Sequence, residues 1–188
     1  VISKTISIYG HIDILVNNAG VNDGVGLDKK PQDFEESLRK NLVHYFTMMH
    51  FALPYLKETH GNIVNVSSKV ALTGQGNTSG YAASKGGVLA LTREWAAELG
   101  VYGIRVNAVI PAEVYTPQYE SWIQTFKDPK AKLEEIKNSI PLSKRLTAPE
   151  EIAKAIVVLA SDLFSHTTGQ FVHVDGGAVH LKPFCAKL

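Results

Sequence analysis

The sequence predicts an α/β protein with a parallel sheet wound by helices on both faces. Three observations predict it. Four short, nearly continuous apolar runs recur along the chain, and such runs fit strands buried on both faces. Stretches with apolar residues at helical spacing separate them. Each run ends in small or turn-forming residues, so the polar groups that follow gather at one edge of the sheet, where α/β folds bind ligands.

Residues 1–9 read as the end of an amphipathic helix closed by Gly10. The first strand is His11-Ile-Asp-Ile-Leu-Val16, and Asn17-Asn18-Ala19-Gly20 follow it. Lys30-Pro31-Gln32-Asp33 open a helix with Pro in the first turn and an acid behind it. That helix runs to about Lys57, with Phe34, Leu38, Leu42, Tyr45, Met49 and Leu53 as its buried stripe. Asn41 lies beside the stripe, where a buried amide needs partners: a loop, a backbone group or a water.

The second strand is Gly61-Asn-Ile-Val-Asn-Val66, ending in Ser67-Ser68. The polar loop Thr73–Gly80 leads to an Ala- and Gly-rich helix from Tyr81 to about Leu99, closed by Gly100. Gly86, Gly87, Ala90, Ala96 and Ala97 are small enough for another helix to approach closely. The third strand spans 103–110 and is ended by Pro111. The segment 115–145 is polar, aromatic and partly helical, with Tyr115, Tyr119, Trp122 and Phe126 three or four residues apart. A helix from Pro149 to Ser161 and a strand from Gly169 to Val174 complete the pattern. The tail from Ala178 is apolar and basic, suited to packing on a neighbouring chain.

A chain of 188 residues is the size of one domain. With 19 basic and 18 acidic residues and no basic block, nothing supports binding to nucleic acid or a membrane surface. No apolar run is long enough to span a bilayer, and no signal peptide is expected. A single cysteine, Cys185, forms no internal disulfide, which fits a reduced, cytoplasmic setting. Seven histidines lie without metal-ligand spacing, so no metal is expected.

The chemistry centres on Tyr81-Ala-Ala-Ser-Lys85, with Ser68 thirteen residues before the tyrosine. On a helix, Tyr81 and Lys85 share one face at i and i+4. An ammonium beside a phenol favours the phenolate and should lower its pKa toward the working range of an acid/base catalyst. A serine hydroxyl on the preceding loop can then hold a substrate oxygen. Tyr-x-x-x-Lys also decorates solvated helix faces, so context decides.

That context resembles the classical short-chain dehydrogenase/reductase family. Asn17-Asn18-Ala19-Gly20, Asn41, Ser68, Tyr81 with Lys85, Asn107 through Thr116, and Val174-Asp175-Gly176-Gly177 occur in the family's order. The resemblance implies a Rossmann-type doubly wound sheet and an NAD- or NADP-dependent oxidoreductase acting on CH–OH groups. Tyr81 is then the general acid/base, and Lys85 lowers its pKa and binds the nicotinamide ribose. Ser68 orients the substrate, and Asn41 holds a relay water. Asn18, Ala19 and Gly20 line the cofactor cleft. The Val114 backbone and Thr116 meet the carboxamide. A homotetramer or dimer is implied, with the Tyr81–Leu99 helix at the interface.

Two departures stand out. Pro111-Ala112 replaces the family's usual Pro-Gly. The family's opening strand, Gly-rich turn and second strand-helix unit are absent from this chain. At roughly 30 residues per unit, about 60–75 residues are expected before Val1. They would carry the pyrophosphate turn and the residue that separates NAD from NADP. A chain starting at Val1 is expected to be inactive and aggregation-prone.

For the substrate, Gln75, Asn77, Glu113, Tyr115, Gln118, Tyr119 and Trp122 are polar or aromatic. Carboxylates and amides bind several hydroxyls, and an indole face suits a sugar. Ile110–Tyr119 and Val172–Leu181 resemble the L-fucose dehydrogenase branch, which implies a small-molecule sugar or polyol substrate. The alternatives are a 3-oxoacyl-thioester or other carbonyl reductase, for which Lys127, Lys130, Lys132 and Lys137 supply some basicity, and an inactive scaffold subunit.

Overall fold

In the computed structural model, which describes residues 1–182, the four apolar runs form one parallel sheet. Cys185 and the end of the basic tail lie outside the described residues. The strands are β1 (Ile14–Asn17), β2 (Asn62–Val66), β3 (Arg105–Pro111) and β4 (Phe171–Val174), in that spatial order. Val16 pairs with Val64, Val64 with Asn107, and Val109 with Val172.

The helices are α1 (Ile2–Tyr9), α2 (Pro31–Leu38), α3 (His44–Thr59), α4 (Val70–Thr73), α5 (Ser79–Leu99), α6 (Pro117–Ile123), α7 (Pro129–Ser139) and α8 (Pro149–Ala160). Pro31, Pro117, Pro129 and Pro149 each open a helix, where the missing N–H would have had no partner. Thr116 and Asp128 cap α6 and α7 by accepting from the backbone N–H groups of Tyr119 and Ala131.

Alternation along the strands sends side chains to two cores. Ile63 and Val106 join Tyr45, Met49 and Leu56 of α3 and Val88 and Trp95 of α5. Val64 and Val109 join Ile152 and Leu159 of α8 on the other face. The sheet is therefore wound on both faces.

Several details differ from the sequence reading. β1 is buried on one face only: Leu15 and Asn17 point inward, while Ile14 and Val16 are 47% and 41% exposed. The helix α8 packs on β2, β3 and β4, and apolar content alone does not say how far such a cover reaches. The long helix expected over 31–57 is interrupted by a π-helical segment, Arg39–Val43, between α2 and α3. The helix carrying Tyr81 starts two residues earlier, at Ser79. Its end passes through Gly100 into a 3-10 turn, and the left-handed residue that stops it is Gly103. Pro111 is the last residue of β3 rather than its terminator, paired with Val174. No described helix is long and apolar enough to cross a membrane.

Candidate active site

The site gathers where β1, β2 and β3 end. The β2 backbone continues past Val66: the Ser67 N–H donates to Val109 O and the Lys69 N–H to Pro111 O, both at 2.9 Å. Ser68 is thereby fixed between two ladder bonds. The Ser67 hydroxyl donates to the Lys85 carbonyl at 2.8 Å, which ties this loop to α5. The Ser68 hydroxyl lies near enough to the Tyr81 phenol to bear on its acidity.

Lys85 is buried, 2% exposed. Its ammonium donates to Tyr45 Oη at 3.0 Å and to the Val66 carbonyl at 2.8 Å. It lies 5.6 Å from the centre of the Tyr81 ring. This corrects the expected electrostatics. Burial raises the Tyr81 pKa, the Ser68 hydroxyl pulls it partly back, and the Lys85 charge is not among the causes. The reason lies in the order of ionisation: the buried amine gives up its proton below the range in which the raised Tyr81 ionises, so no full positive charge faces the phenolate as it forms. Burial also lowers Lys85 itself, to about 8.

Asn41 is fully buried in the π-helical segment. Its Oδ1 accepts from the Val21 N–H at 2.7 Å and its Nδ2 donates to the Ser37 carbonyl at 3.0 Å. The amide thus holds the loop after β1, and a water held by Asn41 would have to meet its backbone. Gly20 lies against this cluster. A β-carbon there would come within 3.0 Å of Asn41 Oδ1 and 3.4 Å of Lys85 Nζ. Asn18, Ala19 and Gly20 are exposed along the same edge. Asn41, Ser68, Tyr81 and Lys85 are therefore brought together around the ends of β1 and β2.

Thr147 exchanges backbone bonds with Glu113 O and Tyr115 N, forming a bridge at Val114. In a parallel bridge this turns Val114's own N–H and C=O to the opposite side. The Thr116 hydroxyl is engaged in capping α6. The Glu113 carboxylate pairs with the Lys69 ammonium and accepts from the Tyr119 hydroxyl at 2.8 Å. Tyr119 packs edge-on against Trp122 at 5.2 Å. Gln75 lies in the exposed loop between Gly74 and Gly76. Of the residues expected at the substrate, Glu113, Tyr119 and Trp122 form one cluster and Gln75 stands outside it.

The sequence reading did not single out Tyr45 or Lys69 as site residues. Helical spacing reads Tyr45 as core, yet its hydroxyl accepts from Lys85 and donates to Val66 O at 2.9 Å. The available signal was its four-residue spacing from Asn41 and the need of a buried phenol for a partner. Tyr45→Phe is expected to reduce kcat/KM several-fold and stability by about 1 kcal/mol. Steady-state kinetics and thermal unfolding measured together check this. Unchanged kcat/KM would remove Tyr45 from the positioning of Lys85.

A family model described as enoyl-(acyl carrier protein) reductase matches residues 1–179. A 3-oxoacyl-(acyl-carrier-protein) reductase FabG of Thermotoga maritima is 42% identical over 181 residues, covering 95% of this chain and 71% of its own. The chain belongs to the short-chain dehydrogenase/reductase family. Other members of the family are similar at comparable levels. L-fucose dehydrogenase of Rattus norvegicus is 37% identical over 179 residues, covering 94% of this chain and 66% of that protein. The crystal structure of Cj0485 dehydrogenase superimposes with a TM-score of 0.93 at 47% identity, over 96% of this chain and 70% of that one. The aldohexose dehydrogenase of Thermoplasma acidophilum superimposes with a TM-score of 0.91 at 31% identity, over all of this chain and 75% of that one. The chain spans about two thirds of the length of the curated relatives.

Proposed function

We propose that the protein is an NAD- or NADP-dependent dehydrogenase of small hydroxylated molecules, with a monosaccharide or polyol such as L-fucose as substrate. The observation that carries the reading is the Ser68–Tyr81 hydroxyl pair set beside the Lys85 ammonium at the edge where the strands end.

The residues fit a nicotinamide nucleotide. Gly20 keeps the edge clear where a β-carbon would meet Asn41 and Lys85. The buried Lys85 ammonium has a third N–H beyond those given to Tyr45 and Val66, suited to a ribose hydroxyl. The outward Val114 amide suits a carboxamide. When bound, the nicotinamide takes up or supplies the hydride. Ser68 holds the substrate oxygen. Tyr81 takes the hydroxyl proton in oxidation and returns it in reduction. Lys85, held by Tyr45 and Val66, supplies positive charge beside the phenol. Asn41 fixes the loop that bounds the site.

The sugar reading draws support from the Lys69–Glu113–Tyr119 cluster with Trp122 next to it. A carboxylate and an ammonium together accept from and donate to neighbouring hydroxyls, and an indole covers a CH face. Similarity to the L-fucose and aldohexose dehydrogenases points the same way. The 42% identity to FabG favours a second reading, reduction of a 3-oxoacyl thioester. Exposed Phe46 and Phe51 on α3 support a homodimer or homotetramer.

The test is nicotinamide reduction by the full-length protein with L-fucose and related sugars, using NAD and NADP side by side, against reduction of acetoacetyl thioester. Turnover of a sugar is the expected result. Thioester turnover alone would select the second reading. Neither turnover nor nucleotide binding would leave a scaffold role.

A further inference from the structure

β4 and the turn after it supply none of the groups around Tyr81, yet they hold two imidazoles together. His173 Nε2 and His180 Nε2 are 3.3 Å apart. The ring centroids are 4.4 Å apart and the planes tilt by 34°, so the rings converge at their Nε2 ends. The intervening turn is built to return one to the other. The buried Asp175 carboxylate accepts from the Gly177 N–H at 2.8 Å and the Val179 N–H at 3.0 Å. Gly176 and Gly177 have φ of 62° and 84°, which a side chain would strain. The Leu181 N–H closes on Gly177 O at 2.9 Å. His173 itself is anchored in β4 opposite Ile110.

With one ring carrying its proton on Nε2 and the other not, 3.3 Å is an N–H···N hydrogen bond, and the same separation suits two nitrogens sharing an ion. Two imidazole nitrogens on one tetrahedral ion, each at about 2.0–2.1 Å, lie about 3.3–3.4 Å apart. We propose that His173 and His180 form a two-histidine binding site for a borderline divalent transition-metal ion of the zinc or nickel kind. The strand fixes one ligand, and rotation of the exposed His180 side chain completes the bite. Water fills the remaining positions. His173 lines a cleft of about 600 Å³ shared with Arg145 and Asp175, which gives that water room. Among the described residues no third His, Cys, Asp or Glu joins the pair as a ligand set. The affinity expected is therefore micromolar, below that of a closed structural zinc site. The spacing of seven escapes a search for i, i+4 histidines because a turn, rather than a helix, makes the pair.

The experiment is calorimetric titration of the full-length protein with Ni²⁺, repeated on His173→Gln, His180→Gln and a His50→Gln/His166→Gln control, with thermal unfolding confirming that each variant folds. One ion per chain is expected, lost in each of the first two variants and kept in the control. No binding by the parent protein, or binding that survives either His173→Gln or His180→Gln, overturns the site. The readout is ion binding, so its failure leaves the dehydrogenase reading standing, and the reverse holds too.

Discussion

Tyr81→Phe is expected to lower kcat for alcohol oxidation by about 10²–10⁴-fold, the range for losing a positioned acid/base. Nucleotide binding should persist, because the substitution leaves Lys85, Asn41 and Gly20 in place. The pH dependence follows from burial. Tyr81 is held above the ordinary phenol value, so at neutral pH it is a phenol ready to donate. Oxidation needs the phenolate and should accelerate as pH rises through the alkaline range. Reduction needs the phenol and should be flat at neutral pH and fall at high pH. Initial rates in both directions from pH 6 to above the ordinary phenol value of about 10 check this, with nucleotide fluorescence as the binding control. A Tyr81→Phe variant that keeps its parent's kcat would rule out Tyr81 as the proton carrier.

Lys85→Met should do two opposite things: abolish turnover and raise thermal stability. Burial drops Lys85 from 10.5 to about 8, which corresponds to about 3 kcal/mol of penalty on its charged form. Hydrogen bonds to Tyr45 and Val66 offset part of that, so a net gain of about 1–2 kcal/mol is expected from an apolar side chain of similar length. Tyr45 can still donate to the Val66 carbonyl in the variant, so no buried acceptor is orphaned there. The sign with pH is opposite to that of a salt-bridged lysine. The folded pKa lies below the unfolded one, so between about pH 8 and 10.5 the unfolded chain binds more protons and stability gains with pH. Thermal unfolding from pH 7 to 10 should show this rise in the parent and a smaller one in Lys85→Met. A variant less stable than its parent at pH 7 would mean that the ammonium's hydrogen bonds outweigh its desolvation.

The strands were legible because each apolar run gives way to polar, turn-forming residues within a residue or two of the strand's end, as at Asn17-Asn18 and Ser67-Ser68. The alignment of Tyr81 and Lys85 was legible from helical spacing alone. What spacing does not carry is where a side chain's end goes. Lys85 ends among Tyr45 and Val66, partners distant in sequence, and the burial there lowers its own pKa to about 8, so its effect on Tyr81 differs from the local expectation. The exposed face of β1 was hidden for a similar reason, since Ile14 and Val16 are as apolar as buried strand residues. Of the partners read for Asn41 (a loop, a backbone group or a water), the structure shows backbone groups, at Val21 and Ser37. The break in the helix around it left no mark in composition, because Arg39 to Val43 contains neither Gly nor Pro.

That break sets the relative phase of two half-helices. On one side, Ser37 and Asn41 grip the loop after β1; on the other, Tyr45, Met49 and Leu56 engage the sheet. Each residue advances an α-helix by about 100°. A change of side chain within 39–43 at any position but Asn41 leaves the two grips in register. A change in the number of residues turns one of them away from its partner. Asn41 aside, length more than composition is what this segment has to keep.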